Sequence, residues 1–201
     1  MVIAAIVDYG IGNLFSIKNA LEKLELTAKL VTSLRDAEQA DMIIFPGVGN
    51  FTSISEKLLI EKQIFNDIVQ SGKPILGICL GLQVLMDSSE EGKGIGLSRF
   101  PGIVEKLPNH VKVPHMGWNT LTVNLSHEFV DGISQDSWVY FVHSYVPKLK
   151  DLSTVLAETD YGIRFPSIIG DKTTVGTQFH PEKSGEIGNR LLKNFIKMAK
   201  R

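Results

Sequence analysis

Residues 2–7, Met42–Phe45 and Ile75–Ile78 are apolar or small from end to end, and a weaker run, residues 28–31, lies between the first two. Such runs are too short to be buried helices. With no polar alternation they suit strands covered on both faces, as in a parallel sheet. The intervening segments read as the covering helices. Leu14, Ile17, Leu21 and Leu24 share one helical face behind Asn13, a good N-cap. Residues 35–40 form a short polar link. Ser53 followed by Glu56 has the spacing of a capping box and predicts a helix to about Ser71, closed by Gly72 and Pro74. Strand and helix in alternation predict a three-layer αβα fold around a mostly parallel central sheet.

The pattern changes after Met86, where the helix following Ile75–Ile78 is expected to end. Residues 87–96 form a charged, glycine-rich loop. Strand-like runs then follow at close spacing: 102–104, 111–113, 120–123, 138–145, 154–159 and 165–169. Gly170-Asp171-Lys172 turns the last of these into 173–178 as a hairpin. These runs predict antiparallel strands added to the α/β core in the C-terminal half, with residues 1–201 forming a single domain. A final helix buries Ile187, Leu191, Leu192, Phe195 and Ile196. Its basic end, with Lys193, Lys197, Lys200 and Arg201, suits the negative helix C-terminus.

Composition narrows the function. With 43% hydrophobic and 21% charged residues in a chain of 201, a substantial core is available. The net charge is −1, so neither a nucleic-acid nor an anionic-membrane partner is indicated. One cysteine excludes an internal disulfide and suits a reducing compartment. The apolar N-terminus has no basic leader and stops at Asp8, and no apolar run reaches the length of a membrane span. A cytoplasmic protein is expected. The five histidines show no metal-ligand spacing, and no metal or other cofactor is expected.

The lone cysteine, Cys79, sits in Gly77-Ile78-Cys79-Leu80-Gly81, directly after an expected buried strand. Small residues two before and two after are what a sharp strand-to-helix turn needs, the geometry of a nucleophile elbow. The N–H of Leu80 and the positive helix end would then favour a thiolate and, later, an oxyanion. A free cysteine also serves as a small core hydrophobe, and Cys79 alone leaves both readings open. His180 ends the last expected strand, at the sheet edge where sites of open α/β folds lie. In an irregular turn, Glu182 could reach back to the other ring nitrogen, giving nucleophile, base and orienting acceptor. A strand-capping histidine beside a surface glutamate is the plainer reading of the same residues. Pro46-Gly47-Val48-Gly49 either frees backbone N–H groups for a bound group or forms an ordinary βα turn. Gly10-Ile11-Gly12 lacks the third glycine of a dinucleotide loop, with Phe15 in its place.

Taken together, Pro46-Gly47-Val48-Gly49, the Gly77-to-Gln83 block and Gln178-Phe179-His180-Pro181-Glu182 resemble the signature blocks of class I (triad) glutamine amidotransferases. The 8–14 loop, Pro114-His115-Met116-Gly117-Trp118-Asn119, Tyr140-Phe141-Val142-His143-Ser144-Tyr145 and His180-Pro181-Glu182-Lys183-Ser184 narrow the likeness to glutaminase subunits of imidazole glycerol phosphate synthases. The departures are Leu82, where methionine is usual, and Gly185, where a second serine is common.

The resemblance implies that Cys79 attacks the side-chain amide of L-glutamine, giving a γ-glutamyl thioester and ammonia. It implies His180 as acid and base, oriented by Glu182. It further implies an oxyanion hole from the backbone N–H groups of Val48 and Leu80, and glutamine contacts from Gly47, Gly49, Gln83, His143, Ser144 and Tyr145. The implied partner is a (β/α)8-barrel cyclase subunit in a heterodimer, which uses the ammonia to make imidazole glycerol phosphate and an aminoimidazole carboxamide ribotide in histidine biosynthesis. Asn13, Trp118, Tyr140 and Lys183 match family positions at that interface. A paralogue feeding a nucleotide-sugar amidotransferase would carry nearly the same residues. A cysteine hydrolase or stress protein with a similar elbow would have no reason to pair His180-Pro181-Glu182 with the 46–49 strip. A non-catalytic subunit of the same fold would have no need of all three triad residues.

Overall fold

The computed structural model describes residues 2–10, 14–47 and 49–200. Asn13, expected as a helix cap and a partner contact, and Val48, expected in the oxyanion hole, lie outside them. The N-terminal half alternates as the apolar runs predict. It contains β1 (Ile3–Val7), α1 (Phe15–Glu22), β2 (Thr27–Val31), α2 (Leu34–Ala37), β3 (Met42–Phe45), α3 (Phe51–Ile60), α4 (Lys62–Gln70), β4 (Ile75–Ile78) and α5 (Leu80–Gln83). The C-terminal half adds β5 (Ser88–Ser89), β6 (Gly102–Lys106), β7 (His115–Val123), β8 (Ser137–His143), β9 (Tyr145–Leu149), β10 (Val155–Asp160), β11 (Arg164–Gly170), β12 (Thr174–Thr177) and α6 (Gly185–Met198).

A nine-stranded sheet has the order β2-β1-β3-β4-β12-β11-β10-β7-β8, and β5, β6 and β9 form a small second sheet. The strands from β2 to β12 run parallel, and those from β12 to β8 are paired antiparallel. Alternation along the parallel strands divides the core into two layers. Ala4, Ile6, Ile44 and Leu76 pack with Ile17 and Leu21 of α1 and Leu191 and Phe195 of α6. Ala5, Val7, Ile43 and Phe45 pack with Leu34, Ile54, Leu58 and Phe65 on the opposite face. This is the expected three-layer αβα fold. Among the described residues no helix is long and apolar enough to cross a membrane.

One adjacency sets up the site. β4 and β12 are parallel neighbours with Ile78 opposite Thr177, and the Cys79 N–H donates to the Thr177 carbonyl at 2.6 Å. The residues leaving these two strands therefore emerge side by side.

Several local expectations give way to tertiary contacts. The helix expected from Ser53 to Ser71 begins instead at Asn50, whose Oδ1 accepts the Ser53 N–H, and it divides at Glu61. The Glu61 carboxylate reaches across to the N–H of Leu34, and its backbone leaves the helical region there. The polar link 35–40 contains the helical turn α2, capped by Ser33. The elbow helix ends at Gln83 rather than Met86, because the next bonds, Leu85 N–H to Leu82 O and Met86 N–H to Gln83 O, are tighter three-residue ones. Residues 111–113 form no strand and lead into Pro114, which has no N–H to give to a ladder. The run 120–123 extends back to His115. The run 138–145 breaks at Ser144, where the chain leaves β7 to pair with β6, and the Ser144 carbonyl accepts the Leu107 N–H.

Candidate active site

Cys79 joins β4 to α5 at φ 48° and ψ −104°, a conformation that persists only where the surroundings impose it. The flanking glycines let those surroundings close in. A Cβ on Gly81 would lie 2.0 Å from the Phe45 carbonyl oxygen, and one on Gly77 would lie 2.6 Å from the Gly81 carbonyl oxygen. Gly47 does the same from above. Its Cβ would sit 2.9 Å from both Cys79 Cβ and His180 Cε1, so the Gly47 backbone passes directly against the sulfur-bearing residue and the imidazole.

His180 follows β12, and a 3-10 turn, Pro181–Lys183, folds Glu182 back under it. The ring Nδ1 lies 2.8 Å from Glu182 Oε1. β8 clamps the same turn: the His180 N–H donates to Tyr140 O at 2.9 Å, while Ser184 Oγ accepts the Tyr140 N–H and donates to the His180 carbonyl. Burial alone would lower the His180 pKa. Hydrogen bonds to Cys79 and Glu182, and the negative charge of both, outweigh it and raise the value to about 10. The imidazole is therefore held as a cation beside the sulfur. Glu182 Oε2 is buried without a partner among the described residues. The Glu182 side chain lines a cavity of about 330 Å³ together with Gly47, Val142, His180 and Lys183. A larger depression of about 570 Å³ around Asn124 and His127 contains none of these groups. Chemistry locates the site, not volume.

The other expected residues divide into groups. Leu80 opens α5 directly after Cys79, and Gly49 takes φ 106°. Gln83 is buried, and its Nε2 donates to Tyr145 O and to Gln178 Oε1, both at 3.2 Å. The His143 ring points inward. Its Nδ1 donates to Tyr145 O at 2.9 Å and its Nε2 meets His115 Nδ1 at 3.0 Å. Burial and the neighbouring His115 lower the His143 pKa to about 3, so the ring stays neutral. Ser144 and Tyr145 form the corner between β8 and β9. Trp118 and Tyr140 face each other edge to face across the hairpin with centroids 5.8 Å apart, and Trp118 is 52% exposed. Lys183 is exposed at the cavity rim. Sequence reasoning gave no separate role to Gln178, His115, Asn119 or Ser184, although all lie in the quoted blocks. Their signal is burial combined with hydrogen bonding, which a sequence does not display. Among the described residues no group of three or more His, Cys, Asp or Glu side chains is placed to hold a metal ion.

With this geometry in view, the family model described as Glutamine amidotransferase class-I matches residues 5–199. An imidazole glycerol phosphate synthase subunit HisH from Archaeoglobus fulgidus is 46% identical over 201 residues, covering 98% of this chain and 99% of that protein. The HisH subunit of Methanosarcina acetivorans is 46% identical over 198 residues, covering 96% and 98%. The chain belongs to the HisH family of class-I glutamine amidotransferases. The amidotransferase fold extends to far more distant sequences. A chain in the structure of PurLQS from Thermotoga maritima has a TM-score of 0.77 at 17% identity, with 98% of each chain covered.

Proposed function

We propose that this protein is the glutaminase subunit of an imidazole glycerol phosphate synthase, with residues 1–201 acting as one domain in the cytoplasm. It hydrolyses L-glutamine and passes the ammonia to a (β/α)8-barrel cyclase subunit, its partner in a heterodimer. The observation that carries the reading is the convergence of Cys79, His180 and Glu182 at the carboxyl ends of β4 and β12. Both relatives described above bear the HisH designation, which supports this partner over a nucleotide-sugar amidotransferase.

In this reading the Cys79 thiolate attacks the side-chain carbonyl carbon of glutamine. The His180 cation gives its proton to the amide nitrogen, the C–N bond breaks, and ammonia leaves a γ-glutamyl thioester. Neutral His180 then takes a proton from water, and the resulting hydroxide attacks the thioester. Collapse expels the thiolate and frees glutamate, whose new carboxyl proton goes to solvent. Glu182 holds the proton on Nδ1 and offsets the cation. The Leu80 and Val48 N–H groups stabilise the oxyanion, each such donor being worth on the order of 3 kcal/mol. Gly47 and Gly49 leave room for the substrate. Gln83 and the main chain of the 143–145 corner hold its amino-acid end, since the His143 ring is engaged elsewhere. Asn13, Trp118, Tyr140 and Lys183 meet the partner.

The test is co-purification with the cyclase and assay of the complex with either nitrogen source. Cys79→Ala should abolish glutamine-dependent synthesis and keep ammonia-dependent synthesis. Loss of both would overturn the role given to Cys79, and absence of a barrel partner would overturn the assembly.

A further inference from the structure

His180 is not alone at the Cys79 sulfur. Gln178, fully buried, brings its Nε2 to 3.4 Å from Sγ. A side-chain amide can present either end, and the network around it settles which. Tyr145 O is a carbonyl and accepts only, so the Gln83 atom 3.2 Å from it is the NH2 group. That NH2 group also faces Gln178 at 3.2 Å, so Gln178 must offer it Oε1. The Gln178 NH2 is thereby turned to the sulfur. Tyr145 O is held in turn by His143 Nδ1, and His143 by His115, whose other ring nitrogen lies 3.4 Å from Asn119 Nδ2.

We propose that Gln178 is a further catalytic residue of the glutaminase, donating an Nε2–H hydrogen bond to the Cys79 sulfur, and that Gln83 is the positioning residue that keeps this donor turned inward. The inference rests on Cys79 being the glutaminase nucleophile. Its physical basis is the asymmetry between thiol and thiolate. The Val142 carbonyl, 3.7 Å from Sγ, can accept from the thiol but opposes the anion. A neutral N–H bonds an anion roughly twice as strongly as a neutral acceptor, so Gln178 favours the ionised form. The same preference acts twice per turnover. It readies the nucleophile, and it favours expulsion of the thiolate when the thioester is hydrolysed. The ionisable groups around the sulfur are His180 and Glu182 from the turn after β12, Lys183 at the cavity rim, and neutral His143 with His115 behind it.

Cys79 is the sole cysteine, so iodoacetamide alkylation followed by intact mass reports on it alone, in the absence of glutamine. Gln178→Leu keeps the volume and removes the donor, and Gln178→Glu turns a carboxylate to the sulfur. In Gln178→Leu the rate–pH curve should move to higher pH by about one unit, a roughly ten-fold loss of rate on its acid limb. Gln178→Glu should move it further, and Gln83→Leu less but in the same direction, all with unchanged circular dichroism. Curves that superimpose on that of the unsubstituted protein overturn the proposal. If the Gln178 variants do not fold, the unsubstituted protein still decides. Its Gln178 side-chain NH2 resonances should shift with the same pH midpoint as alkylation, and resonances unmoved through that midpoint overturn it. Neither readout uses glutamine turnover, so a failed glutaminase assignment would leave both intact.

Discussion

His180 Nδ1 and Glu182 Oε1 lie 2.8 Å apart across a single 3-10 turn, with the two side chains only 6% and 7% exposed. Residues two apart diverge on an α-helix. The tighter turn brings them together, and the contact fixes the proton on Nδ1 and leaves Nε2 for the cysteine.

Removing the orienting charge should therefore impair chemistry rather than partner binding. Glu182→Gln is expected to lower kcat for glutaminase activity on the order of 10⁴-fold, the scale seen when an orienting carboxylate becomes an amide. Ammonia-dependent synthesis by the complex should be unchanged. Glutamate release and ammonia-driven turnover, measured on the same preparation, check this.

Two glycine substitutions should separate folding from catalysis. In Gly81→Ala the new methyl meets the Phe45 backbone at 2.0 Å, which cannot give way without moving β3. A loss of about 3 kcal/mol or more is expected in urea unfolding. In Gly47→Ala the methyl meets Cys79, His180 and the Ile78 carbonyl oxygen, each at 2.9 Å. Stability should fall by about 1 kcal/mol, with a larger proportional loss of kcat from the displaced pair.

The buried histidines give opposite pH dependences. Burial lowers His115 to about 4, and burial with its neighbour lowers His143 to about 3. The unfolded chain thus binds more protons below the ordinary histidine value near 6.5. Stability contributed by these rings is full above that value and is lost as pH falls toward 4 and then 3. For His180, burial is outweighed by Cys79 and Glu182, and its value rises to about 10. Its contribution is full below about 6.5 and is lost as pH rises through about 10. Urea midpoints from pH 4 to 10 should fall at both ends. His115→Phe should flatten the acid limb, and His180→Gln the alkaline one.

Trp118 stands exposed on the hairpin face, packed edge-on against Tyr140. Trp118→Ala should leave the thermal midpoint of the isolated protein within about 2 °C, since little buried surface is lost. Because Trp118 is a proposed partner contact with an exposed aromatic ring, its loss should weaken the cyclase complex by about ten-fold or more. A thermal melt of the isolated subunit checks the first effect, and calorimetric titration of the two subunits the second.

The parallel half of the fold was legible because β1, β3 and β4 are apolar on both faces, a demand that a strand between two helix layers makes of every residue. The corner at Ser144 was not. A run such as 138–145 keeps its strand composition while changing partners, and only the positions of β6 and β7 determine where it turns. Glu61 likewise divides a continuous helical pattern because it meets Leu34, a residue 27 positions away.

At the site the division is the same. Sequence alone permitted the elbow, since glycines at 77 and 81 allow the turn at Cys79, and the resemblance to class I glutamine amidotransferases pointed to His180 and Glu182 as the companions of that cysteine. Tertiary structure decided which atoms meet. Strand order brought β12 beside β4, the 3-10 turn aimed Glu182 at Nδ1, and the Tyr145 carbonyl set Gln83 and Gln178 so that an N–H faces the sulfur. A sequence shows which groups can donate and accept. Which donor meets which acceptor depends on distances between segments far apart in the chain, and packing sets those distances.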